Sequence, residues 1–206
     1  MPKVKEAKPK YTTTAVAAPP TRCTPTEYLK RERAAETKSE YYDGEIVAMA
    51  GASRTHNLIV GNLVAALHRQ LEGKPCEVYP SDMRVLIDKK RAYVYPDVVV
   101  VCGKPEFADG YTDILVNPTI VIEVLSPSTH RHDRVKKFGL YRQLESLQTY
   151  VMVDSESRHV TCIERSADGK TWTIEMLDKL QDVVRPQAIG CVLPLRRVYR
   201  QVQFAS

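Results

Sequence analysis

Long apolar runs are missing from this chain. Nothing in its 206 residues approaches the roughly 20 consecutive apolar positions of a membrane-spanning helix, so no membrane segment is expected. The opening stretch MPKVKEAKPKYTTTAVAAPP carries Lys, Pro and Thr but lacks the apolar block of a secretory signal. Residues 1–21 therefore read as a disordered basic arm, and 22–206 as a single domain. Paired cysteines are lacking too. The five cysteines (Cys23, Cys76, Cys102, Cys162, Cys191) include no Cys-x-x-Cys pair, which argues against a zinc ribbon or a disulfide framework. Three of them sit among Val, Ile or Leu, so the expectation is free thiols in a reducing cytoplasm. No Gly-x-Ser-x-Gly elbow is present, which leaves Ser126 and Ser128 as turn and cap residues rather than nucleophiles. His130 and His132 lack a third ligand nearby and do not suggest a metal centre.

What is there is a mildly basic chain with enough apolar residues to bury a core. Thirty Lys and Arg stand against 25 Asp and Glu, a net charge of +5, which permits an anionic partner such as nucleic acid without requiring one. Thr24-Pro25-Thr26-Glu27 has the form of a capping box and predicts a short helix to about residue 36. Asp43-Gly44 predicts a hairpin turn between two brief strands. Ile59, Leu63, Leu67 and Leu71 recur four apart and predict a helix over 53–72. Strands are expected over 76–88, with a kink near Pro80, and over 93–101. The stretch 102–118 reads as a loop. A further strand over 119–125 precedes a helix over 130–145, then a strand over 148–153 and a hairpin over 159–177. The order helix, strand, strand, strand, helix, strand implies an α/β fold with a mixed central sheet flanked by helices.

Two carboxylates stand where carboxylates are costly. Tyr95-Pro96-Asp97 leads into Val98-Val99-Val100-Val101, and Glu123 lies inside Ile120-Val121-Ile122-Glu123-Val124-Leu125. Taken singly, Asp97 reads as a turn cap and Glu123 as a partner for an arginine. On neighbouring strands the two would converge at one sheet edge, where a divalent cation offsets their repulsion. Oxygen-only donors favour Mg²⁺, or Mn²⁺, over Zn²⁺. The helix that follows is basic: Arg131, Arg134, Lys136 and Lys137 lie within it. Lys137 and Tyr141, four residues apart, adjoin on its surface.

With these residues in place the chain resembles the PD-(D/E)XK nuclease superfamily, and more closely its Uma-type, restriction endonuclease-like family. The resemblance rests on Glu40-Tyr41-Tyr42-Asp43-Gly44-Glu45, Gly51-Ala52-Ser53 with His56, and Tyr95-Pro96-Asp97-Val98. It continues through Ile122-Glu123-Val124-Leu125-Ser126-Pro127-Ser128-Thr129, Asp133-Arg134 with Lys137 and Tyr141, and Leu193-Pro194-Leu195 with Val198-Tyr199. It implies a restriction endonuclease-like core (α-β-β-β-α-β), extended by an N-terminal helix and hairpin and a C-terminal β-hairpin. It also implies a metal-dependent DNA endonuclease in which Asp97 and Glu123 hold Mg²⁺. The superfamily pattern places a lysine two residues after the second acid. Here that position is Leu125, and the resemblance points to Lys137 as the replacement. Glu45 and His56 are further candidates for the site, and Arg131, Arg134 and Lys136 for phosphate contacts. A homodimer would suit cleavage of both strands of a duplex. The alternative, suggested by Leu125, is an inactive nucleic-acid-binding or interaction protein on the same fold.

Overall fold

The structure, a computed structural model, describes residues 22–87, 91–108, 110–125 and 133–204, and of 133–136 the backbone alone. The expected basic arm over 1–21 lies outside the described residues. Helix α1 (Pro25–Ala34) begins as its capping box requires. The Thr24 hydroxyl accepts from the Glu27 N–H, and the Glu27 carboxylate accepts from the Thr24 N–H at 2.8 Å. Strands β1 (Ser39–Tyr42) and β2 (Glu45–Ala48) pair around Asp43 and Gly44, both at positive φ (51° and 100°), as a tight hairpin turn demands. Helix α2 (Arg54–Leu71) is capped by Ser53 and buries Ile59, Leu63, Leu67 and Leu71.

Between residues 76 and 102 the chain passes from one sheet to another and back, with a proline at each crossing. Strand β3 (Cys76–Pro80) belongs to a six-stranded sheet, whereas β4 (Arg84–Ile87) and β5 (Ala92–Val94) belong to a five-stranded one. Tyr95-Pro96-Asp97 then leads back into the six-stranded sheet as β6 (Val98–Cys102). The single strands expected over 76–88 and 93–101 are therefore each divided. Proline has no N–H to give a ladder and restricts the residue before it, so neither run continues in one sheet.

The rest follows in order: β7 (Ile114–Leu115), inside the expected loop, β8 (Ile120–Leu125), α3 (Asp133–Tyr141), β9 (Thr149–Asp154), β10 (Val160–Arg165), β11 (Trp172–Leu177), β12 (Val183–Val184), β13 (Leu193–Pro194) and α4 (Leu195–Val198). The six-stranded sheet runs β11-β10-β9-β8-β6-β3, with β8 and β9 parallel and the other neighbours antiparallel. This is the mixed α/β architecture that the element order implies. The five-stranded sheet runs β2-β1-β5-β4-β7. One face of the larger sheet, through Val98, Val100, Ile120 and Ile122, packs on α2 and α4. Its other face, through Val99, Val101, Val121 and Leu125, packs on Tyr141 of α3 and on Val85, Ile87 and Val94 of the smaller sheet. Helix α1 covers the far side of the smaller sheet, where Tyr28, Tyr41 and Tyr93 cluster.

The cysteines correct one expectation. Cys76 and Cys102 are register partners on β3 and β6, with Cα atoms 4.0 Å apart, and form a disulfide. Cys23, Cys162 and Cys191 are free and buried. Alkylation in non-reducing denaturant should label three thiols, and five after reduction. Replacing both Cys76 and Cys102 by Ser should lower stability in urea titrations by about 3.5 kcal/mol, the chain-entropy value for a loop of this length.

Candidate active site

Strand register brings the two unusual carboxylates together. On β6 and β8, Val98 stands opposite Ile122 and Val99 opposite Val121. One residue further out, the same register sets Asp97 opposite Glu123. Residues so opposed have Cβ atoms about 4.5–5.5 Å apart. Both acids share parity with Val99 and Val121, which face α3 and the smaller sheet. Glu123 is only 5% exposed. Asp97 is held by the Val124 N–H, which donates to its Oδ2 at 2.7 Å.

Three further elements complete the cluster. From α3, the Tyr141 hydroxyl donates to Glu123 Oε1 at 2.8 Å, and Lys137 Nζ lies 3.5 Å from the same oxygen. Their four-residue spacing puts both on one helix face. From β1 comes Glu40, buried, whose Oε1 is 3.3 Å from Lys137 Nζ. The Tyr42 hydroxyl donates to Glu40 Oε2 at 2.6 Å, and the Tyr95 N–H to its Oε1 at 3.2 Å. From the first turn of α2, His56 Nε2 reaches Asp97 Oδ1 at 3.1 Å.

Enclosure decides the proton chemistry. Burial of Glu123 pushes its pKa up to about 7. The Lys137 ammonium and the Tyr141 hydroxyl pull against that rise, while Asp97 and Glu40 add to it. Burial also holds the Tyr141 phenol well above its ordinary range, helped by the Glu123 charge. At His56 burial works against the charged ring, but the Asp97 carboxylate beside it outweighs burial and the pKa is raised.

Asp97, Glu123, Lys137 and His56 thus meet in one place. Glu45 does not join them. It is exposed on β2, flanking the hairpin turn. The acid that the hairpin does contribute is Glu40, and sequence reasoning missed it. Strand parity carried a signal, because Tyr41 faces the α1 side, which leaves Glu40 and Tyr42 facing the larger sheet. Leu125, on the same face as Glu123, is buried in the core. Arg131 and the side chains of Arg134 and Lys136 lie outside the described residues, as do Ser126, Ser128, His130 and His132.

Among the described residues no three His, Cys, Asp or Glu side chains stand close enough to cage a metal ion. The paired oxygens of Asp97 and Glu123 suit Mg²⁺ in another way, since that ion keeps several waters and takes one or two protein carboxylates. The Lys137 ammonium, between Glu40 and Glu123, marks where these acids already hold a positive charge.

Comparison with known proteins gives a consistent picture. Residues 25–196 match the model of the Uma2 family, described as "Putative restriction endonuclease". Two relatives from Synechocystis sp. (strain ATCC 27184 / PCC 6803 / Kazusa) are similar along most of their length. "Uncharacterized protein sll1609" is 36% identical over 160 residues, covering 78% of this chain and 90% of its own. "Uncharacterized protein slr1290" is 35% identical over 188 residues, covering 91% and 97%. Among solved structures, one from Anabaena variabilis ATCC 29413, described as "a putative nuclease belonging to DUF820", superposes with a TM-score of 0.70. At 19% identity it covers 88% of this chain and 99% of that one, a likeness of fold. Among the described residues no helix is long and apolar enough to cross a membrane.

The raised pKa values have a sign. Glu123 and His56 both bind protons more tightly folded than unfolded, so their stabilisation is complete below their unfolded values. It is lost as pH rises through about 7 for Glu123, and through the raised value for His56. The thermal midpoint should fall between pH 5 and 8, and Glu123→Gln should flatten that fall, measured by calorimetry across the range. Lys137→Met should be more destabilising at pH 8 than at pH 5, because it leaves the charged acids facing each other without a cation.

Proposed function

Because the chain belongs to the Uma2 family, we propose that it is a DNA endonuclease that hydrolyses phosphodiester bonds with Mg²⁺, or Mn²⁺, held by Asp97 and Glu123. The observation that carries this reading is the cross-strand Asp97–Glu123 pair with the Lys137 ammonium beside it. Bound Mg²⁺ would supply Lewis acidity toward a phosphate oxygen and acidify a water at neutral pH.

The chain's own residues do the rest. Val124 N–H and His56 hold Asp97 in place, and Tyr141 holds Glu123. Lys137 takes the role that Leu125 cannot serve, placing an ammonium where negative charge develops on the phosphate. Glu40 positions that ammonium, and is itself fixed by Tyr42 and the Tyr95 N–H. Arg131, Arg134 and Lys136 are proposed to contact backbone phosphates, which makes binding salt-dependent. Residues 22–206 form the nuclease-like domain in this reading, and a second copy would cut the second strand.

One observation favours a second reading. Lys137 stands between Glu40 and Glu123 and His56 beside Asp97, so with Glu123 protonated two cations balance two carboxylates, as a structural device requires. A cleavage assay on plasmid and single-stranded DNA separates the two. With Mg²⁺ or Mn²⁺ the wild type should nick or cut. Asp97→Ala, Glu123→Ala and Lys137→Ala should each lose at least about a hundredfold in rate, while Glu45→Ala keeps the wild-type rate. Cleavage that persists in both acid variants would sink the nuclease reading. A wild type that binds DNA without cutting it would favour the structural one.

Metal affinity supplies an independent check. Because Glu123 titrates near 7, Mn²⁺ binding followed by calorimetry should tighten as pH rises from 6 to 8. In Glu123→Gln it should be weak at every pH.

A further inference from the structure

The larger sheet ends on β11, and among the described residues no strand pairs with its outer side. The strand reads Trp172-Thr173-Ile174-Glu175-Met176-Leu177, with one charge and no proline. Proteins ordinarily blunt such edges with charges, prolines, bulges or a covering segment, because an open edge templates pairing with another strand. Ile174 (61% exposed) and Met176 (68%) are also the most exposed large hydrophobic residues among those described. They share a face with Trp172, which packs edge-on against Phe138.

The hydrogen-bond phase of this edge is set by the hairpin that precedes it. The Ser166 N–H donates to the Thr171 carbonyl at 2.9 Å, and the Arg165 N–H turns the other way, to the Gln148 carbonyl at 2.8 Å. In the β10–β11 register, Thr171, Thr173, Glu175 and Leu177 then direct their main-chain groups toward β10. Trp172, Ile174 and Met176 direct theirs outward.

We propose that β11 is a self-association edge, at which a second copy of this chain pairs antiparallel about a two-fold axis through Ile174. Charge selects this register from its neighbours. An axis through Glu175 sets the two Glu175 carboxylates opposite each other. An axis through Thr173 sets Asp168 opposite Asp178. Like charges so opposed destabilise a pair of strands, and opposite charges support it. The axis through Ile174 sets Lys170 opposite Asp178 of the second copy, Trp172 opposite its Met176, and Ile174 against its counterpart. In that register the outward N–H and C=O groups of Trp172, Ile174 and Met176 all meet partners. A single seam of strands buries less than the roughly 1,200–2,000 Å² of a standard stable interface, so the dimer forms with rising concentration. None of these residues belongs to the Asp97–Glu123 cluster, so the inference stands whether or not the chain cuts DNA.

Sedimentation velocity of the full chain, from low micromolar to several hundred micromolar, should show a monomer–dimer shift. Ile174→Lys places like charges on the axis at an exposed position. It should keep the wild-type circular dichroism and thermal midpoint, yet remain monomeric throughout. On mild oxidation Ile174→Cys should give a disulfide-linked dimer and Glu175→Cys should not. The proposal is overturned by a wild type that stays monomeric throughout, or by a dimer that survives Ile174→Lys. Cross-linking through Glu175→Cys in place of Ile174→Cys would overturn it as well.

Discussion

A carboxyl group enclosed in an apolar strand must be protonated, paired or hydrogen-bonded, because leaving it charged and alone costs several kcal/mol. Much of this molecule's central region answers that requirement at Glu123. Helix α3 meets it twice from one face, with the Tyr141 hydroxyl and the Lys137 ammonium. Lys137 is itself partly enclosed, and Glu40 on β1 supplies its second counter-charge. Asp97 raises the difficulty by adding like charge next door, and His56 and the Val124 N–H absorb it. Lys137 in turn binds Glu40, and Glu40 binds the Tyr42 hydroxyl and the Tyr95 N–H, linked contacts of the kind that hold a buried polar network in one arrangement.

The geometry of that network depends on how the chain passes between its two sheets. Tyr95-Pro96-Asp97 joins β5 to β6, and all three residues matter to the site. The Tyr95 N–H binds Glu40, Pro96 ends one ladder before the next begins, and Asp97 faces Glu123. Behind this segment the Tyr95 hydroxyl donates to Glu32 at 3.0 Å and accepts from Arg84 Nε at 3.0 Å, while Arg84 also pairs with Asp113. The crossing is therefore braced from the α1 side. Main-chain position, rather than side-chain rotamer alone, sets the distance between the acids.

Local signals in the sequence were sufficient where the structure is local. Thr24 with Glu27, Ser53 with the four-residue recurrence of Ile59 to Leu71, and Asp43-Gly44 all form what their chemistry predicts. Asp97 and Glu123 stood out because carboxylates in apolar strands violate the burial pattern. What escaped the sequence is decided by distant partners. Pro80 and Pro96 announce a break, but not that the chain changes sheets there. The Cys76–Cys102 bond joins residues 26 apart that only the β3–β6 register makes neighbours. Glu40 was passed over for Glu45, although the register, with Glu45 opposite Tyr42, sets both acids on one face of the hairpin. What separates them is that β2 is the exposed outer strand of its sheet and β1 an inner one, which the hairpin's own sequence does not state.

The wide sequence spacing of the site has a consequence for how the molecule comes into being. Glu40, His56, Asp97, Glu123 and Lys137 come from β1, α2, the approach to β6, β8 and α3. Apart from the Tyr42–Glu40 hydrogen bond, the contacts described in the cluster join residues 14 or more apart, so its closure waits on long-range pairings, for which chain entropy must be overcome first. During synthesis Glu123 emerges 14 residues ahead of Lys137, and until α3 docks the strand that carries it is a poor candidate for burial. The acids thus reach their working arrangement only in a chain that has finished folding, and whatever chemistry they perform is withheld from nascent and partly unfolded molecules.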